Sequence, residues 1–105
     1  MSDLFEVCFY FSDEKKYEKK ASHQFIVETA RSLDLPGCTL LRSVESFGKN
    51  KKMHAENFFE LQGNCEYIAI FVLNEAQKQS LYSKLKEAQF SCYITKASVE
   101  TDVIS

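Results

Sequence analysis

Short segments in which nearly every residue is apolar alternate along this chain with longer segments of helical spacing. Leu4 to Phe11 is rich in aromatic and β-branched residues and ends at a Ser-Asp-Glu-Lys-Lys cluster, as strands often do. Glu66 to Leu73 has the same character. In both segments the odd and the even positions are nearly all apolar, whereas a sheet covered on one side would alternate apolar with polar residues. We therefore predict two strands that are buried on both faces.

Two segments have the spacing of amphipathic helices. The first carries an apolar stripe from Ser22 to Leu33. It is expected to stop at Asp34-Leu35-Pro36-Gly37, because proline interrupts the hydrogen-bond ladder and glycine takes a turn at low cost. The second follows Asn74, an N-cap residue that forms a capping-box pattern with Gln77, and runs to about Glu87. The residues predicted to pack on the sheet are Phe25, Ile26, Ala30, Leu33, Leu81 and Leu85.

The remaining segments complete the predicted sheet. A strand from Thr39 to Phe47 leads into an exposed loop from Gly48 to Asn57, which has no apolar period. Phe58 to Leu61 is a candidate for a short extra strand, and Phe90 to Val99 for the last one. Ser12 to Lys20 is predicted to be an exposed polar connection that leads into the first helix.

The order β-α-β, loop, β-α-β predicts an α+β fold of the ferredoxin-like kind. In this βαββαβ sandwich, both helices cover one face of an antiparallel four-stranded sheet. A chain of 105 residues suffices for a single domain, here residues 1–105, but not for a second lobe. The second apolar face of the sheet would then be exposed, and self-association is the simplest way to bury it.

Composition limits the class of partner and the compartment. The net charge is -2, so we expect neither nucleic acid nor an anionic lipid surface as a partner. The chain has no apolar run long enough to cross a bilayer and no N-terminal signal pattern, so we expect a cytoplasmic protein. Its four cysteines lie far apart without a C-x-x-C pair, which indicates buried or bystander thiols that act as small apolar residues.

The segment from Gly37 to Gly48 resembles the PII-like family catalogued as domain of unknown function 190. That family typically shows Gly-Ala-Thr-Val-Leu-Arg-Gly followed by Gly-Phe-Gly. This chain has Gly-Cys-Thr-Leu-Leu-Arg from Gly37 to Arg42 and then Phe47-Gly48. His54 matches the family's histidine in the following loop, and the pattern from Tyr67 to Leu73 extends the resemblance to nearly the whole chain.

The resemblance implies a PII-like homotrimer with a regulatory role. A small anionic or nucleotide effector would bind in clefts between subunits, and the loop between the second and third strands would carry the signal. By the same resemblance, a membrane transporter or an enzyme would be the target, and no cofactor is expected. Ser43 and Ser46 stand where the family usually has glycine, which leaves the backbone less free to approach a ligand.

Basic residues around this loop are the candidates for anion binding. Lys49, Lys51 and Lys52 follow Gly48, whose backbone amide can approach phosphate oxygens, although a solvated basic loop explains the same pattern. On the preceding strand, the planar guanidinium of Arg42 suits a carboxylate or a phosphate, and a structural ion pair between subunits is the open alternative. The predicted ligand-binding residues are Arg42, Glu45, Phe47, Gly48, Lys49, Lys51, Lys52 and His54.

Two other functions remain as alternatives. His54 in the loop and His23 on the first helix do not form a metal-ligand spacing on one element. Subunits could pool such ligands, so a trimer like those of the CutA type, with a divalent-metal-linked or purely structural role, is the second hypothesis. An enzyme is the third, and we expect none, because the sequence has no phosphate loop and no nucleophile-base pair. The Asp13-Glu14 carboxylates lie in a solvated charge run.

Overall fold

The computed structural model describes residues 3–44 and 65–105 of the chain. Within these ranges, four strands form an antiparallel sheet in the order β4-β5-β1-β6, and β2 and β3 form a separate two-stranded ribbon. This is the predicted ferredoxin-like α+β arrangement. The elements are β1 (Leu4–Phe11), β2 (Lys16–Tyr17), β3 (Lys20–Ala21), α1 (Ser22–Ser32), β4 (Thr39–Arg42), β5 (Tyr67–Asn74), α2 (Glu75–Glu87) and β6 (Tyr93–Val99).

The core lies between the two helices and one face of this sheet. Because side chains alternate along a strand, every second residue of β1 and β5 points toward the helices. The rings of Phe9 and Phe71 meet edge to face at the centre, 5.5 Å apart between centroids. The prediction for the helices is confirmed, with Leu33 packed at the margin and the others buried: Phe25, Ile26, Ala30, Leu81 and Leu85.

Each helix ends shortly before a left-handed residue that is not glycine. In α1, Asp34 has a φ of 59°, its N–H donates to the carbonyl of Arg31, and the N–H of Leu35 donates to that of Ala30. These two bonds form a Schellman motif. The helix therefore stops where predicted, at the beginning of the Asp34-Leu35-Pro36-Gly37 segment, but glycine does not take the turn. Asp34 makes the reversal, and Gly37 does not adopt a positive φ.

The segment between β1 and α1 is more ordered than an exposed connection. Lys16–Tyr17 and Lys20–Ala21 pair as a hairpin, and Glu18 and Lys19 between them both have a positive φ, as a type I′ turn requires. Tyr17 packs against Phe25 and Phe90, with ring centroids 5.3 and 4.9 Å away. The prediction missed this hairpin because its strands are only two residues long and carry little pattern.

The sheet face opposite the helices carries a single charged residue within the described strands. Neither helix covers this face, and Leu41 and Val72 on it are 46% and 36% exposed. The two-sided apolar character predicted for β1 and β5 is thus present in the structure. We call this surface the open sheet face; the register places on it Leu4, Glu6, Cys8, Tyr10, Thr39, Leu41, Ile68, Ile70, Val72, Tyr93, Thr95, Ala97 and Val99.

Some of the predicted elements fall on residues 45–64, outside the described residues. These are the end of the strand predicted to reach Phe47, the loop from Gly48 to Asn57 and the short strand from Phe58 to Leu61. The described part of β4 ends at Arg42, and the N–H of Ser43 continues the pairing by donating to the carbonyl of Glu66. Among the described helices, none has the length and apolar character to span a membrane.

Candidate functional site

Arg42 is the predicted ligand-binding residue that the structure describes. It ends the edge strand β4 and pairs with Tyr67, the first residue of β5. The residues between Arg42 and Tyr67 therefore connect two neighbouring points at one edge of the sheet. The other predicted residues lie between these two points and outside the described ranges: Glu45, Phe47, Gly48, Lys49, Lys51, Lys52 and His54.

The Arg42 side chain lies against an aromatic ring. Residues paired across antiparallel strands share a face, so Arg42 and Tyr67 both lie on the face that carries the helices. The guanidinium carbon of Arg42 is 5.7 Å from the centre of the Tyr67 ring, within the range of a cation–π contact. Arg42 is exposed, and no carboxylate in residues 3–44 and 65–105 forms an ion pair with it.

Tyr67 links Arg42 to a histidine of α1. The imidazole of His23 stacks on the Tyr67 ring with centroids 4.6 Å apart and 25° between the planes. Phe11 of β1, the partner of Tyr67 in the sheet, stacks on it at 5.8 Å. Packing thus fixes the Tyr67 ring, and the guanidinium of Arg42 and the imidazole of His23 both lie beside it.

His23 is held in place by Asp13, which lies in the connection after β1. One carboxylate oxygen of Asp13 is 2.9 Å from Nδ1 of His23, and the other accepts the backbone N–H of the same residue at 3.1 Å. The N-cap of α1 is Ala21, whose side chain has no acceptor, so Asp13 caps the helix from a distance. The backbone N–H of Asp13 donates to Oε1 of Glu66, which fixes Asp13 in turn.

We call the group formed by Asp13, His23, Arg42, Glu66 and Tyr67 the Arg42 edge. Of these residues, Arg42 was predicted for the candidate site, whereas Asp13 was predicted to lie in a solvated charge run and His23 was a candidate metal ligand only. The sequence does contain one indication of the contact between Asp13 and His23. Ala21, which precedes α1, has no side-chain acceptor for the free N–H groups of the first turn, so another residue has to supply one. That signal does not say which residue supplies the acceptor.

Burial makes three of the cysteine thiols less reactive. The four cysteines, all within the described ranges, form no disulfide, and burial raises the pKa of the Cys8 and Cys65 thiols and that of Cys92 to about 12. Those three thiols therefore stay protonated and are weak nucleophiles near neutral pH. In the described part of the chain, no three His, Cys, Asp or Glu side chains are arranged to hold a metal ion.

A concave surface of about 480 Å³ lies between the β2–β3 hairpin and the two helices. Its charges are largely compensated: Lys20 and Glu28 approach to 2.6 Å, and this hydrogen bond raises the pKa of Lys20 and lowers that of Glu28. Lys84 lies 3.9 Å from Glu87 on the opposite wall. An anion that contacted either lysine in this groove would have to displace its carboxylate partner.

The matches to known proteins agree with one another over most of the chain. Residues 5–101 match the model of the DUF190 family, which is described as "Uncharacterized ACR". A "UPF0166 protein" of Aquifex aeolicus (strain VF5) is 22% identical over 91 residues, which is 87% of this chain and 86% of the relative. A "putative PII-like signaling protein" from Thermus thermophilus has a crystal structure that superimposes with a TM-score of 0.55 at 13% identity. The superposition covers 91% of this chain and 88% of that one, and at this identity it concerns the fold.

Proposed function

Because this chain belongs to the DUF190 family and has a PII-like fold, we propose that it is a small regulatory protein that binds an anionic effector at the Arg42 edge. The observation that carries the proposal is the guanidinium of Arg42, exposed and without a described carboxylate partner beside a fixed aromatic ring. A guanidinium offers planar, paired donors that suit carboxylates and phosphates. We propose a binding protein rather than an enzyme.

The residues between β4 and β5 extend this proposal. The pairing of Arg42 with Tyr67 means that the intervening segment starts and ends at the Arg42 edge. In the proposed site, Lys49, Lys51 and Lys52 add positive charge and Gly48 lets backbone amides approach the anion. Glu45, Phe47 and His54 complete the set of proposed ligand-binding residues. Binding would change the contacts of this loop with a target, which is how many switches operate.

The proposal also includes assembly and location. A homotrimer would bury the open sheet face and place the Arg42 edge beside a cleft between subunits. The large apolar surface of that face supports this assembly, because apolar patches of such extent commonly mark interfaces. We further propose that the protein is cytoplasmic and that its target is a membrane transporter or an enzyme.

Ligand binding measured for matched variants would test the site. A thermal-shift panel of adenine nucleotides, small metabolic anions and divalent metals identifies a ligand, because a ligand of the folded state raises its apparent stability. Replacing Lys49, Lys51 and Lys52 with alanine should then weaken anion binding by about tenfold or more and leave the fold intact. Lys16, Lys84 and Lys86 are exposed, so their triple alanine variant makes the same change of charge as a control.

The outcomes separate the hypotheses. If the loop variant and the control variant bind an identified anion equally well, the loop does not contact the effector. If Arg42→Gln also retains full affinity, the Arg42 edge is not the binding site. Stabilisation by divalent metals, with no response to any anion, would favour the CutA-like role instead.

A further inference from the structure

The orientation of His23 has a consequence for the kind of anion that the Arg42 edge selects. An ionised carboxylate accepts hydrogen bonds but donates none, so Asp13 requires a proton on Nδ1 of His23. In the neutral imidazole, Nε2 is then a bare acceptor. Within the described residues, nothing donates to this nitrogen, and the His23 side chain is 36% exposed. While the ring is neutral, the edge thus presents an acceptor whose tautomer is fixed by Asp13.

Arg42 and His23 have opposite hydrogen-bonding characters beside the same ring. The guanidinium carbon and the imidazole centroid lie 5.7 and 4.6 Å from the centre of the Tyr67 ring. A guanidinium can only donate, whereas the imidazole nitrogen that faces away from Asp13 can only accept while the ring is neutral. A ligand that satisfies both needs an anionic oxygen and a donor of its own.

We propose that His23 is a specificity-determining residue of the Arg42 edge and that the edge selects anions that also carry an O–H group. Hydrogen phosphate and 2-hydroxycarboxylates share this chemistry. Arg42 binds the anionic oxygens, Nε2 of His23 accepts the ligand's hydroxyl proton, and Asp13 is the positioning residue that fixes the tautomer. This inference rests on the proposed function, since it assumes that anions bind at this edge.

The selectivity for hydroxyl-bearing anions follows from the contacts that a fully deprotonated anion would make at the Arg42 edge. Sulfate would place an oxygen lone pair against the lone pair of Nε2, so one of the two polar groups would remain unsatisfied. A site built to hydrogen-bond a hydroxyl discriminates against analogues that lack it, because its own polar group is left without a partner. A role for His23 in packing and helix capping alone predicts no such discrimination.

Paired ligands that differ in one hydroxyl provide the test. At about pH 8, inorganic phosphate is mainly a dianion that carries one proton, and sulfate is a dianion that carries none. Isothermal titration of the wild-type protein should give phosphate an affinity at least about fivefold higher than sulfate. Lactate against propionate makes the same comparison for carboxylates, and the pair with the larger ratio identifies which of the two anion classes the edge prefers.

Two variants assign the discrimination to its residues. His23→Phe keeps an aromatic ring against Tyr67 but removes the acceptor, so it should bind phosphate and sulfate with nearly equal affinity. Arg42→Gln should weaken both anions by about tenfold or more, because both use the guanidinium. Lys84→Gln removes an exposed cation from α2 and serves as the control, with no change in either affinity.

A spectroscopic measurement on the wild-type protein does not depend on any variant folding. The imidazole ¹⁵N shifts of His23 should show a proton on Nδ1, and phosphate should move the Nε2 resonance while sulfate should not. In Asp13→Asn the side-chain amide can donate as well as accept, so the Nδ1–H form should lose its dominance. A purely structural role of Asp13 would leave the tautomer unchanged.

The results distinguish this inference from the function on which it rests. Anion binding that requires Arg42 but shows no preference for the hydroxyl-bearing member of either pair would overturn the role of His23 and leave the proposed function standing. A preference that persists in His23→Phe would do the same. The absence of any anion binding, or binding indifferent to Arg42→Gln, would overturn both.

Discussion

Two single residues are strained in the same way at equivalent places in the fold. Asp34 after α1 and Gln89 after α2 have positive φ values of 59° and 58°, in the position of a helix end where glycine is usual. A left-handed conformation costs an L-residue about 1–2 kcal/mol, and asparagine and aspartate tolerate it better than most. Each residue nevertheless closes a Schellman motif, so the hydrogen bonds of the helix end outweigh the strain.

Relieving this strain should stabilise the protein. We expect Gln89→Gly to raise the free energy of unfolding by up to about 1 kcal/mol and Asp34→Gly by less, because aspartate adopts the left-handed region more easily. Urea denaturation followed by circular dichroism measures both changes. Gln89→Ala is the control, since it shortens the side chain without relieving the backbone. A Gln89→Gly protein no more stable than Gln89→Ala would show that the left-handed residue is not strained.

Lys78 is an unusual single residue because it is charged and only 6% exposed. Its ammonium lies 4.9 Å from the Phe5 ring centre and 5.6 Å from that of Tyr82, and 3.2 Å from Oε1 of Glu75. The long aliphatic stem of lysine fills the space beneath. The charge is thus tolerated here, while the packing of the stem is what the core requires.

Exchanging the charge for an apolar chain of similar length should therefore be harmless. We expect Lys78→Met to change the free energy of unfolding by less than about 1 kcal/mol, because methionine fills the space of the lysine stem and Glu75, whose side chain is 60% exposed, stays solvated without its partner. Lys78→Ala should lose roughly 2 kcal/mol or more through the missing methylene groups. Chemical denaturation compares the two, with Lys84→Met on the exposed side of α2 as control. A loss as large in Lys78→Met as in Lys78→Ala would mean that the ammonium itself stabilises the core.

At the scale of elements, the sequence predicts the helices and strands that have a hydrophobic period. It misses structure that depends on contacts between residues distant in the chain. The four long strands, both helices and the Asn74–Gln77 capping box follow from local pattern, and the structure contains both bonds of that box. The β2–β3 hairpin carries no period, and Tyr17 holds it through Phe25, Phe90 and the N–H of Ser91. Ser91 is 74 residues away in the chain, so no local pattern could indicate that bond.

The candidate site shows the same difference between what local pattern predicts and what distant contacts decide. Arg42 could be predicted because it lies on a strand whose end meets a basic segment. The contact of His23 with Asp13 could not, since it joins a helix to a connection that looks solvated, and its stacking on Tyr67 depends on how α1 crosses the sheet. Sequence thus locates the charge, while the tertiary fold decides which groups surround it.

At the scale of the whole molecule, the open sheet face gives the proposed trimer a direct test. We expect light scattering coupled to gel filtration to report a homotrimer at micromolar concentration, because a buried apolar face strongly favours association. Val72→Glu on that face should shift the protein toward monomer while changing the fold little, since Val72 is 36% exposed in the single chain. Ser98→Glu adds the same charge to the exposed helix-side face of β6 as a control. A wild-type monomer would contradict the assembly.

The strand order also has a consequence for the newly made chain. β1 lies inside the sheet, yet Leu4 pairs with Asn74 and Val99, which the ribosome adds long after β1. For most of synthesis, this apolar strand therefore lacks both of its neighbours in the sheet. The β2–β3 hairpin and α1, which follow it directly, are the part of the fold that can form early. Pairings between such distant segments make folding slow, and unpaired apolar strands are prone to aggregate while they wait. The arrangement that gives the finished sheet its centre thus leaves the nascent protein in need of protection until β5 and β6 emerge.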